Sequence, residues 1–450
     1  MASKSFNRIA VIGAGESGTG AALLARHLGM EVYLSDAGTV LEKFARKLKS
    51  AGIDFEEGGH NLEQIRSADL VIKSPGIPEK SPVVQQARKA GLKVISEIEF
   101  ASLHTSKPII AITGTNGKTT TTSLIGHIFL KAGIKTGIGG NIGRSFAELV
   151  IDDHQYDVYV LEVSSFQLDG CFTFAPDIAI LTNITPDHLD RYDHVFENYI
   201  ASKFRICQAQ RPDQVFIYCA DDPVTVQYLS KFPTKARKIP FSALYDPGVG
   251  AYLVNPNEII IKTNIMDSMV IKDFKLKGTH NAYNSMAAAI AARIHEIRQE
   301  KIKEAFSDFE GVEHRLENAG IVGGIEFIND SKATNVNSVF YALGSIKRPI
   351  VWIAGGVDKG NDYSVLHSLV KERVKAIVCL GKDNSKILDE FTGMVNVIAD
   401  THSMEQAVKT AYSLASKGDV VLLSPACASF DLFDNYEDRG NQFKYWVRQL

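Results

Sequence analysis

The sequence has few cysteines and no long hydrophobic run. Its five cysteines are an odd number at irregular spacing, and no two of them form a CxxC pair. Neither a disulfide framework nor a structural zinc site is therefore expected. No segment approaches the roughly 18 consecutive apolar residues that span a bilayer, and the polar N-terminal lead lacks the apolar core of a signal peptide. We expect a cytoplasmic protein without membrane insertion.

A large charge of one sign is also absent. The chain has 49 Lys and Arg residues against 52 Asp and Glu residues, which gives a net charge of −3. A chain this balanced has no bulk electrostatic attraction to nucleic acid or to an acidic membrane. We therefore expect no nucleic-acid partner. A monomer is expected as well.

Strand-like and helix-like segments alternate along the 450 residues, which is typical of α/β domains with parallel sheets. At about 150 residues per domain, the length predicts three domains, at 1–107, 108–314 and 315–450. Proline disfavours helix in the residue before it, so the first boundary is set at Pro108. Strands are predicted at 8–12, 31–35, 70–72, 93–95, 109–113, 156–161, 178–181, 325–328, 349–354, 376–380 and 420–423. Helices are predicted at 19–28, from 118 and at 282–297, and residues 216–277 are β-rich.

The first predicted strand runs into GAGESG at residues 13–18, which fits the G-x-G-x-x-G pattern. Asp36 lies about 20 residues further on, where the ribose-binding acid of dinucleotide sites is found. Backbone N–H groups at such a helix start can bind a diphosphate. The turn indicates either a nucleotide of unspecified kind or a tight turn without a ligand.

A second glycine-rich loop lies between a predicted buried strand and a helix, in the order of a P-loop. Its glycines let backbone amides converge, Lys118 provides a positive charge for terminal phosphates, and Thr119 can bind Mg²⁺. Ile112 stands where the usual pattern has its first glycine. The motif and its context predict a triphosphate-binding loop formed by Gly114, Thr115, Asn116, Gly117, Lys118, Thr119 and Thr120.

Polar side chains follow two further predicted strands. Glu162 ends one of them, and Asp187 and His188 follow the next. Carboxyl ends of parallel strands are where ligands bind in such sheets, so these groups can hold Mg²⁺ together with Thr119. Taken singly, such an acid or loop histidine is usually solvated, and Lys203 in its helical segment would ordinarily be a surface lysine.

Taken together, these motifs resemble the Mur ligase family of peptidoglycan synthesis. The resemblance lies in TGTNGKTT (113–120), GGNIG (139–143), LEVSSFQL (161–168), TNITPDHLDRY (182–192) and GTHN (278–281), and it spans the chain in the family's order. In the third domain, NDSKATN (329–335) and LLSPACAS (422–429) resemble the member that adds D-glutamate.

The resemblance implies a Rossmann-like N-terminal domain for a UDP substrate, a central P-loop ATPase domain and a Rossmann-like C-terminal domain for an amino acid. It implies an ATP-dependent amide ligase that adds D-glutamate to UDP-N-acetylmuramoyl-L-alanine through an acyl phosphate, with ATP and two Mg²⁺ ions as cofactors. The reaction would serve cell-wall biogenesis, cell shape and cell division. It also implies that the first glycine turn holds UDP instead of NAD.

The resemblance carries over the following site residues. The UDP-substrate residues are Ser17, Asp36, Ser74, Gly76 and Asn141. The ATP residues are the loop 114–120, Asn281, Arg315 and Asp330. The D-glutamate residues are Lys332, Thr334, Lys359, Ser429, Phe430 and Tyr436. The metal ligands are Thr119, Glu162, His188 and Lys203 as a carbamate, and the catalytic residues are Lys118, Glu162, His188, Lys203, Arg315 and Lys332.

A carbamate on Lys203 has a physical rationale, because Mg²⁺ repels a cationic amine and attracts a carboxylate-like anion. Three other functions stay open. An oxidoreductase would explain only the first glycine turn, and a non-catalytic P-loop switch would hydrolyse ATP without an amino acid. Another Mur-type or folylpolyglutamate synthetase-like ligase is the nearest alternative, and the two third-domain strings argue against it.

Overall fold

The computed structural model describes residues 6–263, 268–272, 274 and 278–450. The chain divides into two compact units, Met1–Glu310 and Gly311–Leu450. Two β-sheets lie in the first unit and a third lies in the second, so the prediction of three α/β domains is confirmed. Among the helices of these described residues, none is long and apolar enough to cross a membrane.

The N-terminal sheet is fully parallel, with the strand order β3-β2-β1-β4-β5. Its central strands are continuous apolar runs and are buried on both faces, as parallel sheets covered by helices require. The strands are β1 Arg8–Ile12, β2 Glu31–Ser35, β3 Phe55–Glu56, β4 Leu70–Lys73 and β5 Val94–Ser96. The helices are α1 Glu16–His27, α2 Glu42–Ser50, α3 Leu62–Arg66, α4 Pro82–Lys89 and α5 Glu97–Ser102.

The central sheet has nine strands in the order β14-β13-β12-β11-β10-β9-β6-β8-β7. All neighbours are parallel except β12–β13 and β13–β14. The strands are β6 Ile109–Thr113, β7 Thr136–Gly140, β8 Val158–Glu162, β9 Ile178–Leu181, β10 Val215–Cys219, β11 Arg237–Ser242, β12 Gly250–Asn255, β13 Glu258–Lys262 and β14 Ser268–Lys272. The helices are α6 Lys118–Lys131, α7 Phe146–Ile151, α8 Ser165–Leu168, α9 Phe196–Gln208, α10 Pro223–Tyr228, α11 Thr279–Ile294 and α12 Gln299–Asp308.

The third sheet has the order β15-β16-β20-β17-β18-β19, and only the β15–β16 pair is antiparallel. Apolar clusters cover both of its faces. The strands are β15 Glu317–Val322, β16 Ile325–Asn329, β17 Ile350–Gly355, β18 Val374–Leu380, β19 Val397–Thr401 and β20 Val420–Ala426. The helices are α13 Val336–Ser345, α14 His367–Arg373, α15 Ser385–Phe391, α16 Met404–Leu414 and α17 Tyr436–Val447.

Two predicted element starts are wrong by about one turn. Helix α1 begins at Glu16 and not at residue 19, because the chain enters the helix directly from the glycine turn and an acidic residue is favoured in a first turn. Helix α11 begins at Thr279 instead of 282. The predicted β-rich stretch 216–277 contains β10 to β14, and its residues 264–267, 273 and 275–277 lie outside the described residues.

Within the first unit, one apolar cluster continues from the N-terminal sheet into the central one. Buried carboxylates of α5 reinforce this contact. Glu99 accepts hydrogen bonds from the N–H groups of Phe172, Thr173 and Phe174 and from the Thr173 hydroxyl, at 2.7 to 3.1 Å. A buried carboxylate with this many donors stabilises the joint between the two sheets.

Glu97, at the start of α5, is a buried carboxylate with far less support. It is 1% exposed, Oε1 accepts from Ala147 N at 2.5 Å, and Oε2 has no hydrogen-bond partner among the described residues. Burial, with the nearby charge of Glu16 adding to it, raises the pKa of Glu97 from an ordinary value of 4.5 to about 8. This residue is therefore protonated in the folded protein at neutral pH.

We expect Glu97→Gln to remove a pH-dependent loss of stability. The pKa of Glu97 is raised in the folded protein. The stability that its protonated side chain contributes is therefore fully present below about pH 4.5 and is lost as the pH rises towards 8. Relative to the variant, the wild type should lose on the order of 3 kcal/mol between pH 5 and pH 8. Calorimetric unfolding at both pH values measures this difference.

The matched control is Glu300→Gln, which changes an exposed glutamate of α12 in the same way. Its stability relative to the wild type should not depend on pH. An equal pH dependence in the wild type and in Glu97→Gln would show that Glu97 is ionised in the folded protein.

Candidate functional site

The loop between β6 and α6 has the backbone of a phosphate-binding loop. Gly114 (φ 149°) and Gly117 (φ 86°) both adopt backbone angles that favour glycine. A Cβ at Gly114 would overlap the Thr182 hydroxyl, and one at Gly117 would overlap the Asn284 side chain. Lys118 then opens α6, so backbone N–H groups at a helix N-terminus face the space in front of the loop.

The segment that follows β9 holds this loop in place. Thr115 N donates to Asn183 O at 2.8 Å, and the Thr115 hydroxyl donates to Thr185 O at 3.0 Å. Asn116 N donates to Asn183 Oδ1 at 2.9 Å, and Asn116 O accepts from the Thr182 hydroxyl at 2.6 Å. The loop geometry is therefore fixed by protein contacts before any nucleotide binds.

Glu162, the last residue of β8, links two predicted binding residues. Its Oε2 accepts from the Thr119 hydroxyl at 2.6 Å, and its Oε1 accepts from Asn141 Nδ2 at 2.9 Å. Glu162 is 2% exposed, and its strand lies between β6 and β7 in the sheet. The structure thus brings together a phosphate-loop hydroxyl, a carboxylate and the amide of the GGNIG segment.

Two lysine amines converge on the carbonyl of Gly114. Lys118 Nζ donates to it at 2.9 Å and Lys203 Nζ at 2.8 Å. A lysine in a helix such as α9 is ordinarily exposed on the surface. Lys203 is instead buried, with 1% of its surface exposed. Burial and the charge of Lys118 hold the pKa of Lys203 well below its ordinary range, although Asp187, Asp169 and Glu162 oppose the shift.

His188 follows Asp187 in the loop after β9 and has a left-handed backbone (φ 53°). Its N–H donates to Asp187 Oδ1 at 2.9 Å, and its ring contacts the edge of Phe166 with centroids 5.0 Å apart. Burial raises the pKa of Tyr199, and the nearby charge of Asp187 adds to the shift; the Tyr199 hydroxyl lies 3.2 Å from that of Thr115. Asp187 therefore lies near the phosphate loop.

Asn281 lies in the first turn of α11, beside the phosphate-loop helix. Asn284 Nδ2 donates to Asn281 Oδ1 at 3.4 Å, and Asn284 Oδ1 accepts from the Thr121 hydroxyl of α6 at 3.3 Å. Asn284 thus connects the predicted ATP residue Asn281 to α6.

The predicted UDP-substrate residues of the N-terminal sheet lie at the carboxyl ends of β1, β2 and β4. Asp36 accepts from Ala14 N at 2.7 Å and from Gly38 N at 2.8 Å, so its carboxylate supports the glycine turn. The Ser74 hydroxyl donates to Gly13 O at 3.0 Å. Ser17 lies half-buried in the first turn of α1, and Gly76 is exposed in the loop after β4.

In the second unit, Arg315 and Asp330 are close together. Asp330 is buried directly after β16, and it accepts from Leu316 N at 3.3 Å and from the Ser424 hydroxyl at 2.8 Å. Burial raises the pKa of Asp330 to about 6, while the positive charge of Arg315 opposes the shift. His314 (φ 62°) and Leu316 (φ 45°) fix the backbone on both sides of Arg315.

Five of the predicted D-glutamate residues lie in the loops that follow β16, β20 and β17, three neighbouring strands, and the sixth, Tyr436, begins α17. Lys332 Nζ donates to the Tyr436 hydroxyl at 3.1 Å and lies 4.9 Å from the centre of its ring. Thr334 N donates to Lys332 O at 2.9 Å. Lys332, Thr334 and Tyr436 therefore form one group.

The other three predicted residues lie on two paired loops. Val357 and Ala428 exchange backbone hydrogen bonds at 2.8 and 3.1 Å, which joins the loop after β17 to the loop after β20. Lys359 is exposed on the first loop. On the second, Ser429 is buried and Phe430 is 75% exposed.

A buried arginine connects the loops after β16 and β20. Arg439 of α17 is 1% exposed and donates to Ser331 Oγ at 3.0 Å, to Ser331 O at 2.8 Å and to Cys427 O at 3.2 Å. Burial lowers the pKa of Arg439 to about 10. Sequence reasoning did not identify Arg439, because a single arginine in an amphipathic helix gives no signal that separates it from a surface residue.

The donor set of the first unit suits a hard divalent cation. Within residues 6–263, 268–272, 274 and 278–450, no group of three or more His, Cys, Asp or Glu side chains could hold a metal ion. The hydroxyl of Thr119 and the carboxylate of Glu162 are in contact beside the phosphate loop. Mg²⁺ typically takes one or two such ligands and completes its shell with water and nucleotide phosphates, so the residues present fit that ion.

The fold and the site define a P-loop protein of three α/β domains, whose polar residues collect at the carboxyl ends of parallel strands. Family models match three successive parts of the chain. The MurD-like N-terminal domain of Mur ligases matches residues 7–96, the Mur ligase middle domain matches 112–292, and the glutamate ligase domain of Mur ligases matches 314–427. The chain belongs to the Mur ligase family.

Curated relatives match over their whole length. The UDP-N-acetylmuramoylalanine–D-glutamate ligase of Bacteroides fragilis is 52% identical over 446 residues, which cover 99% of this chain and 100% of that protein. The ligase of the same name from Christiangramia forsetii is 51% identical over 443 residues, covering 98% of this chain and 99% of that protein.

Among solved structures, a pseudomurein peptide ligase type C from Methanothermus fervidus is similar with a TM-score of 0.63. It is 21% identical, and the match covers 98% of this chain and 99% of that one. This likeness shows the shared fold.

We expect Arg439→Lys to destabilise the second unit by about 2–3 kcal/mol. Lysine keeps the charge but cannot make the three hydrogen bonds of a planar guanidinium, and bonds to a charged buried group are costly to lose. Both tryptophans of the chain, Trp352 and Trp446, lie in this unit. Urea unfolding followed by tryptophan fluorescence therefore measures its stability.

Arg448→Lys is the matched control, because Arg448 is exposed at the end of the same helix. Its unfolding midpoint should equal that of the wild type. A midpoint for Arg439→Lys that also equals the wild type would contradict the linking role of Arg439.

Proposed function

We propose that this protein is an ATP-dependent ligase that joins D-glutamate to the L-alanyl carboxylate of UDP-N-acetylmuramoyl-L-alanine in peptidoglycan precursor synthesis. The observation that carries the proposal is the 51–52% identity, over the whole chain, to ligases that bear this name. The phosphate loop and the Lys332–Tyr436 group are consistent with it.

Activation by ATP answers a chemical problem. An amine does not displace oxygen from a carboxylate at neutral pH, because the oxygen is a poor leaving group. Transfer of the γ-phosphoryl group of ATP to the carboxylate gives an acyl phosphate and ADP. The amine of D-glutamate attacks the acyl carbon, and the C–O bond to phosphate breaks as the amide bond forms and a proton is lost.

The residues of the phosphate loop would serve the first step. The backbone N–H groups of residues 114–120 would bind the phosphates of ATP, and the amine of Lys118 would offset negative charge on the transferred group. The other residues that the family resemblance assigns to ATP are Asn281, Arg315 and Asp330. Mg²⁺ would be held by Thr119 and Glu162, with His188 as a further ligand, and when bound it would neutralise charge on the phosphates.

Lys203 suits modification by CO₂. Its lowered pKa favours the neutral amine, which is the form that attacks CO₂. The nitrogen forms a bond to carbon, the amine loses a proton, and the product is an anionic carbamate. An anion beside Lys118 would attract that cation and provide a further metal ligand.

The remaining substrates would bind at the other two sheets. Ser17, Asp36, Ser74 and Gly76 would bind the UDP part of the substrate, with Asn141 near its muramoyl part. An incoming dicarboxylate needs cations and hydroxyls, and the loops after β16, β17 and β20 provide both. The D-glutamate residues would be Lys332, Thr334, Lys359, Ser429, Phe430 and Tyr436.

Four further features are predictions from the sequence. They are the domain boundaries at 107/108 and 314/315, the cytoplasmic location, the monomeric state and the number of Mg²⁺ ions.

Phosphate release tests the proposed function directly. With ATP, Mg²⁺ and UDP-N-acetylmuramoyl-L-alanine, we expect release to depend on D-glutamate and to stay near background with L-glutamate, L-alanine, a diamino acid or a dipeptide. Omission of the UDP-substrate provides the control for ATP hydrolysis alone. Equal rates with and without amino acid, or a preference for another amino acid, would refute the assignment.

We expect Lys203→Arg to lower turnover by about 100-fold or more, because arginine keeps the charge but cannot form the carbamate. Lys203→Ala should be similarly inactive and partly rescued by small carboxylic acids that enter the vacated space. Lys231→Arg, at an exposed lysine, is the control and should keep full activity. Full activity in Lys203→Arg would exclude a carbamate at this position.

A further inference from the structure

The loop after β4, residues 74–77, is held from two directions. On one side the Ser74 hydroxyl donates to Gly13 O in the glycine turn. On the other, the buried amine of Lys73 donates to Ile77 O at 2.8 Å. Both contacts come from the N-terminal sheet, so they shape the loop without connecting it to the central one.

Arg191 provides such a connection. It lies in the short 3-10 turn Leu189–Tyr192, three residues after His188, in the loop that follows β9 of the central sheet. Its guanidinium donates to Pro75 O at 3.0 Å and to Gly76 O at 3.2 Å, and it lies 4.4 Å from the centre of the Phe166 ring. One planar cation therefore contacts segments that follow β4, β8 and β9.

The loop that carries Arg191 needs external support. His188, Asp193 and His194 all have left-handed backbones, with φ between 53° and 59°. Such conformations are unfavourable for residues other than glycine and persist only where surrounding contacts hold them. The contacts made by Arg191 on residues 75 and 76 are part of that support, so the position of His188 depends on the loop after β4.

A second contact between the same loops is weaker. Lys80 and Asp193 form an ion pair, but their side chains are 74% and 51% exposed. Exposed ion pairs contribute little because water and salt screen them. Arg191 instead is half-buried, makes two charge-assisted hydrogen bonds and stacks on an aromatic ring. It is the stronger of the two connections.

We propose that Arg191 is a positioning residue that couples the UDP-substrate loop 74–77 to the His188 loop. Substrate that binds against residues 74–77 fixes the carbonyls of Pro75 and Gly76, and Arg191 transmits this order to the segment 187–194. The inference rests on the proposed function, because it takes residues 74–77 as part of the UDP-substrate site.

The test compares Arg191→Lys with Arg205→Lys, both in the wall of one cavity of about 580 Å³. Arg205 is a half-buried arginine beside the ring of Phe172 that donates to Cys171 O, without contact to residues 74–77 among the described hydrogen bonds. The probes are UDP and Mg²⁺–ADP, each titrated alone by calorimetry. The third measurement is turnover at saturating ATP, UDP-substrate and D-glutamate.

Arg191→Lys should weaken UDP binding by about tenfold, leave Mg²⁺–ADP binding unchanged and lower turnover by about tenfold, with an unfolding temperature equal to that of the wild type. Arg205→Lys should match the wild type in all measurements. Unchanged UDP binding in Arg191→Lys overturns the inference. Unchanged turnover also overturns it, because the effect of Arg191 would then be limited to the loop 74–77. Weaker binding of both nucleotides, or a lowered unfolding temperature, would assign it a general structural role instead and so overturns it too.

These results separate the inference from the proposed function. A wild type that binds UDP but releases no phosphate in response to D-glutamate would contradict the proposed function, and the UDP titrations would still decide whether Arg191 holds the loop. A wild type that binds no UDP overturns both.

Discussion

The central constraint of the first unit is the convergence of two lysine amines on the carbonyl of Gly114. Two cations in a buried space repel each other, and burial adds a desolvation cost to each. The protein meets this constraint with the nearby carboxylates of Glu162, Asp169 and Asp187 and with a pKa of Lys203 far below its ordinary range. Glu162 ends β8 and Asp187 lies in the loop after β9, so two of these acids come from the same edge of the sheet as the phosphate loop.

The architecture explains why polar residues from distant parts of the sequence meet. Strands of a parallel sheet are buried on both faces and carry few polar groups, so the chemistry collects at their carboxyl ends and around the loops that follow. In the central sheet these loops follow β6, β8 and β9, and in the third sheet they follow β16, β17 and β20. Side-chain contacts then join the loops in pairs, through Glu162 in one unit and Arg439 in the other.

Sequence reasoning identifies what short-range patterns encode. The continuous apolar strand before Gly114, the glycine loop and the helix at Lys118 were all predictable, because each step has its own residue preference. Glu162 was named from its place at a strand end and Lys203 from the family resemblance, but the burial of Lys203 was not foreseeable, since its helix gives no local sign of the carbonyl it reaches. Arg191 and Arg439 were missed for a related reason: most of the acceptors that they bind are backbone carbonyls, which leave no trace in the sequence.

The link made by Arg439 has a consequence for how such enzymes diverge. The guanidinium holds two loops by their backbone oxygens and by a serine hydroxyl. Backbone oxygens are present whatever side chain a residue carries, so this part of the link does not depend on the neighbouring side chains. Side chains on the two loops can therefore change while the arginine still holds the loops by their backbone.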